Sequence, residues 1–238
     1  MRAQHLDTTF GRVWLVLNPL LLACVYFILV DIIRHGHARP AHYLPHLIAG
    51  IFAYYFVSGT IRQGAKTVIK GSKLVLNTAF PRILLPTSSV IGNFMRFVPT
   101  LGIYAIIHVI SGLPIGFHLL LVIPVIAMLT GVAAGISMFV SALQVYFRDL
   151  AQFLPYLLRM WLYLSPVLWF ANQVPHGFKP LIWANPIGAL LACWSDILIK
   201  GEVPSPFLFA LGLAWTVVSL TVGTLFFMSR EREFAVRL

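Results

Sequence analysis

Polar residues in this chain are gathered into short breaks between long apolar stretches. Val13 to Ile33, Leu44 to Ile61, Leu85 to Ile110, Leu119 to Val145, Leu150 to Phe170 and Phe207 to Met228 each approach the roughly 20 apolar residues a membrane-crossing helix needs. The pattern predicts an all-α integral membrane protein, a single domain over residues 1–238 with six transmembrane helices. One stretch, Ala171 to Pro206, is too apolar for a free loop and too broken for a span. Asn185-Pro186 splits it into pieces too short to cross a bilayer and return. Two arrangements fit. Re-entrant helices can dip in from the outer side, because irregular backbone is tolerated at membrane depth where protein or water surrounds it. A helix pair can instead lie flat on the outer interface, anchored by Trp183 and Trp194. The re-entrant arrangement is the expectation.

Composition agrees with the class: 59% of the 238 residues are hydrophobic and 10% charged, against roughly a quarter charged in soluble domains. The net charge of +10 does not point to nucleic acid, since no soluble basic domain exists to carry it. Its distribution has another cause. With both termini inside, the inner segments hold Arg2, Arg12, Arg62, Lys66, Lys70, Lys73, Arg82, Arg148, Arg230, Arg232 and Arg237, and the outer ones Arg34, Arg39, Lys179 and Lys200. Cytoplasmic loops collect Lys and Arg, so an N-in, C-in orientation follows. Met1 to Arg12 is short, polar and partly amphipathic, and lacks the cleavage site of a signal peptide.

Catalytic and metal chemistry are poorly represented. Cys24 and Cys193 lie far apart in apolar contexts and read as small buried hydrophobes. His35, His37, His42 and His46 crowd the first outer loop, but only Asp31 is near to complete a metal site, so no metal is expected. No Ser–His–Asp order, paired carboxylates or H-E-x-x-H occurs, and no G-x-x-x-x-G-K-[ST] phosphate loop. The chain is therefore expected to be no enzyme and unable to hydrolyse ATP on its own.

Three polar features remain inside or beside the apolar stretches. In the segment 62–82, Lys66, Lys70 and Lys73 interleave with Val68, Leu74, Leu76 and Phe80, while Gly71 and Pro81 restrict any helix to short pieces. Such a segment is either a solvated loop drawn to anionic lipid or a docking helix for a cytoplasmic protein. Arg96 and Arg159 fall inside the third and fifth stretches, Arg159 about nine residues, roughly 14 Å, from the inner end. A cation at that depth costs at least about 2.5 kcal/mol on insertion scales. Neither has an evident acidic partner, which suits an anionic passenger such as a phosphate or pyrophosphate; snorkelling, or bonds to carbonyls freed by Pro99 and Pro155, is the other explanation. Finally, Phe153, Tyr156 and Tyr163 fall at helical spacing near Arg159, and Tyr26 and Tyr55 mark the first two spans. Aromatic faces of this kind either stack on sugars along a conduit or form interfacial belts and helix contacts.

Several short motifs occur in a fixed order: Gly11-Arg12-Val13-Trp14, Leu17-Asn18-Pro19, Phe80-Pro81-Arg82 with Leu85-Pro86, Phe147-Arg148-Asp149-Leu150, Ser165-Pro166-Val167 and Asn185-Pro186. In that order they resemble the membrane subunits of ATP-binding cassette exporters of cell-surface polysaccharides, such as O-antigen, wall teichoic acid and related lipid-linked glycans. The resemblance covers nearly the whole chain. It implies a six-span half-transporter in a bacterial cytoplasmic membrane that pairs with a second copy of itself and with a separate nucleotide-binding ATPase subunit. No cofactor is expected in this chain; ATP and Mg would be bound by the partner. The resemblance further implies an N-terminal interface helix over residues 1–12 and a cytoplasmic coupling helix near Lys66 to Asn77, within the segment 62–82. Partner-docking residues would then be Lys66, Lys70, Lys73, Phe80, Pro81, Arg82, Arg148 and Asp149. Outer gate helices would occupy residues 171–206, with Pro175, Asn185 and Pro186 as gate positions. Family members carry a longer segment before the Gly-Trp region, so Met1 to Thr9 looks clipped.

The expected function is export of a polyprenyl-pyrophosphate-linked polysaccharide, its head met by Arg96, Arg159 or both, and its sugars passing Tyr26, Tyr55, Phe153, Tyr156 and Tyr163. Three alternatives are weaker. An ion-coupled flippase would show internal repeats and buried acids. An intramembrane enzyme would need clustered acidic or metal-ligating groups. A drug or small-lipid exporter permease of the same superfamily is compatible with the short outer loops.

Overall fold

The computed structural model describes residues 14–33, 42–77 and 80–237. The expected interface segment, residues 1–12, and His35 and His37 of the first outer loop lie outside the described residues. Among the described residues all regular structure is helical: α1 (Trp14–Ile33), α2 (Tyr43–Ala65), α3 (Thr67–Lys70), α4 (Ser72–Asn77), α5 (Leu84–Ile110), α6 (Val122–Tyr146), α7 (Leu150–Leu164), α8 (Lys179–Ala184), α9 (Gly188–Ser195), α10 (Pro206–Arg230) and α11 (Phe234–Arg237). A 3₁₀ turn, Phe117–Leu121, leads into α6. Among the described residues, four helices are long and apolar enough to cross a membrane: α2, α5, α6 with its leading turn, and α10. The apolar part of α1, Val16–Val30, is shorter.

The fifth apolar stretch departs from expectation. It was read as running to Phe170, but α7 stops at Leu164 after 15 residues. Ser165 is extended (ψ 148°) because Pro166 follows it, and a residue before proline is pushed out of the helical region. At about 1.5 Å per residue α7 is about 22 Å long, short of a hydrocarbon core about 30 Å thick. The remainder turns inward, with Val167 fully buried.

Helix α2 is the hub. Within its most apolar window 83% of residues are buried, against 22% for α10, so α2 is wrapped by protein and α10 lies at the periphery. It packs against α1, α5, α6, α7 and α9. On the far side α10 lies along α6, where glycines let the two backbones touch. A Cβ on Gly135 would run into the backbone of Ser219, and one on Gly223 into the carbonyl of Gly135. Gly131 and Gly135 are one turn apart and form a G-x-x-x-G pair, which permits close helix approach in membranes.

The C-terminal segment that follows the last apolar stretch is polar in composition, yet it is an anchor. Phe234 is fully buried in a small separate core with Val68, Met138, Ala142, Val145 and Phe227, and its ring meets Phe227 edge-on at 5.3 Å. Tyr146 Oη donates to Glu233 Oε2 at 2.8 Å, and Arg82 donates to the carbonyl of Glu231. This hook ties the segment after α4 to the C-terminal ends of α6 and α10. Phe234→Ala is expected to destabilise the protein by about 3 kcal/mol, read as a lower midpoint of thermal unfolding in detergent. Of the two cysteines read as buried hydrophobes, Cys193 is buried, whereas Cys24 is exposed on α1.

Candidate functional site

Two cavities flank one ridge of α2. The first, about 220 Å³, lies between α1, α2 and α5. Its polar wall is Asn18, Arg62, Gln63, Asn93 and Arg96. Asn93 Nδ2 donates to Gln63 Oε1 at 3.2 Å and to the Ser89 carbonyl at 2.8 Å, which fixes the amides and leaves both arginine heads free of them. The second, about 500 Å³, lies between α1, α2 and α7. Its polar lining is hydroxyl-rich: Tyr26, Tyr54, Tyr55, Ser58 and Tyr163, with Arg62 and Arg159. Tyr26 Oη donates to Tyr163 Oη at 3.1 Å across the α1–α7 gap, and Tyr54 donates to the Leu158 carbonyl. Tyr55 and Arg62 line both cavities.

No acidic side chain lines either cavity, and among the described residues no ion pair engages Arg62, Arg96 or Arg159. Neither Arg96 nor Arg159 bonds a carbonyl near Pro99 or Pro155 among the described residues. Arg62 and Arg96 in the first cavity, and Arg62 and Arg159 in the second, are therefore available to an anion, which arginine binds with two parallel hydrogen bonds.

Sequence reasoning located Arg96 and Arg159 but passed over Arg62. It stands after the last apolar residue of the second stretch and reads as one more inner-loop cation. The helix runs a further turn, to Ala65, so Arg62 is a helical residue lining both cavities. Tyr55, Ser58 and Arg62 follow a three-then-four spacing, one helical stripe; that was the available signal. The aromatic expectations divide. Tyr26, Tyr55 and Tyr163 line the second cavity, whereas Phe153 and Tyr156 point away from it, 59% and 65% exposed on the outer face of α7.

The expected docking residues also divide. A third cavity, about 460 Å³, gathers Lys66, Lys70 and Arg148 with Gln144 and Arg237. Lys73 is exposed on α4 and Pro81 is exposed beyond it. Phe80 packs against the small core that holds Phe234, and Arg82 is held by the C-terminal hook. Asp149 is exposed and its carboxylate makes no cap; its backbone oxygen accepts from Gln152 and Phe153. The Arg148–Asp149 turn is fastened instead by Gln144, whose Nε2 donates to the Arg148 carbonyl at 2.7 Å.

Beyond α7, the gate positions fall on short pieces. Helices α8 and α9 have 6 and 8 residues, and α9 continues as a π-helical turn to Lys200. Asn185, between them, forms a knot. Its Oδ1 accepts from Trp161 Nε1 at 2.8 Å and from the Ile187 N–H at 3.1 Å, and its Nδ2 donates to Ser165 Oγ at 2.9 Å. Pro186 continues the break and Pro175 is exposed further out. Helix α9 is buried against α2, α6 and α10. Trp194, only 2% exposed, donates to the Ala49 carbonyl of α2 at 3.2 Å. His46 Nδ1 lies 2.9 Å from Ser195 Oγ. Of the two tryptophans expected as anchors of a flat helix pair, Trp194 is thus bonded inside the helix bundle, whereas Trp183 is exposed.

Residues 3–198 match the family described as ABC-2 type transporter. The chain is 24% identical over 226 residues to an O-antigen export system permease protein RfbA of Klebsiella pneumoniae, covering 93% of this chain and 86% of that protein. It is 25% identical over 237 residues to the O-antigen export system permease protein RfbA of Myxococcus xanthus, covering 99% and 90%. A helical chain with several membrane-length helices, matched by that family over most of its length, is a transporter membrane subunit: it belongs to the ABC-2 type transporter family.

Proposed function

We propose that this chain is the permease subunit of an ATP-driven exporter of a polyprenyl-pyrophosphate-linked cell-surface polysaccharide, of the O-antigen class, in a bacterial cytoplasmic membrane. The observation that carries this reading is the pair of acid-free cavities along α2, the first lined by Arg62 and Arg96, the second by four tyrosines with Arg62 and Arg159. They offer cations to a pyrophosphate and aromatic faces and hydroxyls to sugars. The relatives named for O-antigen export support the substrate class.

In this reading α1 and α7 complete a set of six spans with both termini inside. The short α7 crosses because α8 and α9, entering from the outer side as re-entrant gate helices, fill the remaining depth. Two copies pair to form the conduit, with the exposed Phe153 and Tyr156 facing the second copy or the passing glycan. A separate ATPase subunit binds ATP and Mg and docks on α3–α4 through the cationic cavity of Lys66, Lys70 and Arg148. Closure of the ATPase pair moves α3 and α4, and the C-terminal hook passes that motion to α6 and α10.

The test is transport in vesicles holding this chain and its partner ATPase. ATP-dependent appearance of lipid-linked glycan on the far side is the expected result; movement of small lipids or drugs but no glycan would replace the substrate class. Full transport by the chain alone would end the reading. Arg159→Met is expected to lower glycan export about tenfold, as for a charge-assisted contact worth about 1.5 kcal/mol, while co-purification with the ATPase is unchanged.

A further inference from the structure

The two cavities along α2 differ in chemistry. The first is small, with guanidinium and amide groups, Arg62, Gln63, Asn93 and Arg96, set among the rings of Phe52, Phe56 and Phe97. Its volume, about 220 Å³, is below the roughly 300–1,000 Å³ usual for whole small-molecule sites and suits a compact anion. The second, about 500 Å³, has four tyrosines and Ser58 in its lining beside Arg159, hydroxyls and ring faces suited to a polyhydroxylated ring with a cation at its edge. Arg62 is the one cation common to both. It is exposed on a ridge between them, and no ion pair fastens it among the described residues.

We infer that the two cavities hold one substrate across the ridge: the diphosphate in the first, the sugar next to it in the second, and Arg62 on the phosphate that joins them. This assignment rests on the exporter reading and deepens it. Arg96 then binds the lipid-side phosphate, Arg62 the sugar-side phosphate, and Tyr26, Tyr55 and Tyr163 read the first sugar. Specificity for the reducing-end sugar is set in the second cavity, while affinity for any polyprenyl diphosphate is set in the first. A bare lipid diphosphate leaves the second cavity empty and binds more weakly than the sugar-bearing form.

Binding to the complex of permease and ATPase in lipid nanodiscs tests this, with two probes: a polyprenyl diphosphate without sugar, and the same lipid carrying a disaccharide. Arg96→Gln is expected to weaken both probes by the same factor. Tyr26→Phe with Tyr163→Phe is expected to weaken only the sugar-bearing probe. Arg62→Gln should weaken both about tenfold or more, as for loss of a charged bidentate contact. Arg62→Lys keeps the charge without the fork and should fall between; it carries the test if Arg62→Gln fails to assemble. Arg62 variants that bind both probes like the wild type, while Arg96→Gln does not, overturn the assignment and leave the exporter reading standing. Equal weakening of both probes by the tyrosine pair overturns the division between the cavities. A wild-type complex that binds neither probe ends both readings together.

Discussion

Gly135→Leu is expected to eliminate folded protein from the membrane. A Cβ alone at Gly135 enters the Ser219 backbone, and one at Gly223 enters the Gly135 carbonyl. The obstacle is backbone, not the far end of a flexible side chain, so α6 and α10 must separate along their length. Overpacking of an ordinary core costs about 1–3 kcal/mol; here the whole α6–α10 contact is lost, since in a membrane that contact rests on close packing and not on exclusion of water. Gly223→Leu should behave in the same way, and Gly135→Ala should be milder but still damaging. Size-exclusion profiles of a fluorescent fusion in mild detergent read this directly. A monodisperse, export-competent Gly135→Leu protein would mean that the contact is dispensable. Gly102, where an added Cβ meets nothing within 4 Å, supplies the control: Gly102→Ala should be neutral or slightly stabilising, because alanine favours helix.

The second large effect is expected at Asn185. Its side chain accepts from Trp161 and Ile187 and donates to Ser165. Asn185→Ala strands two donors and removes a bond to the hydroxyl at the end of α7. With each buried unpaired donor costing about 1–3 kcal/mol, the sum is about 4 kcal/mol. Because these bonds hold the α8–α9 turn against α7, export should fall below a tenth of wild type even where assembly survives at low temperature. A double-mutant cycle with Trp161→Phe isolates the pair. The expected coupling is about 1–2 kcal/mol, and additive effects would show that Trp161 finds another acceptor. If residues 171–206 gate export as proposed, the motion pivots at the Asn185–Pro186 break and leaves α9 in place, since α9 is packed on α2 through Trp194 and Ala49. Cross-linking α9 to α2 should then spare export, whereas cross-linking α8 to α7 should block it.

Membrane residence, all-helical architecture and the interruption at Asn185–Pro186 were legible from hydrophobic run length and from proline, because both act over a few consecutive residues. The absence of a phosphate loop and the positions of Arg96 and Arg159 were equally local. Boundaries governed by a neighbouring residue were harder: α7 ends at Leu164 although the apolar run continues, since an apolar run records solvent preference and Pro166 dictates backbone. The reverse occurred at Arg62, where the helix outlasts the apolar residues and turns an apparent loop cation into a cavity residue. Other features depend on pairs distant in the chain and left little local trace. Phe234 in an otherwise polar tail is an anchor only because Val68 and Phe227 meet it. Gln144 matters only because the Arg148 carbonyl lies within its reach. Phe153 and Tyr156 share helical spacing with Tyr163, yet the rotation of α7, set by Leu154, Leu158 and Leu162 packing inward, carries them off the cavity. Periodicity along the chain specifies which positions share a face; which partner that face meets is decided by how the helices are brought together, and it is this three-dimensional assembly that sets Arg62 of α2 between a cavity lined by Arg96 of α5 and a cavity lined by Arg159 of α7.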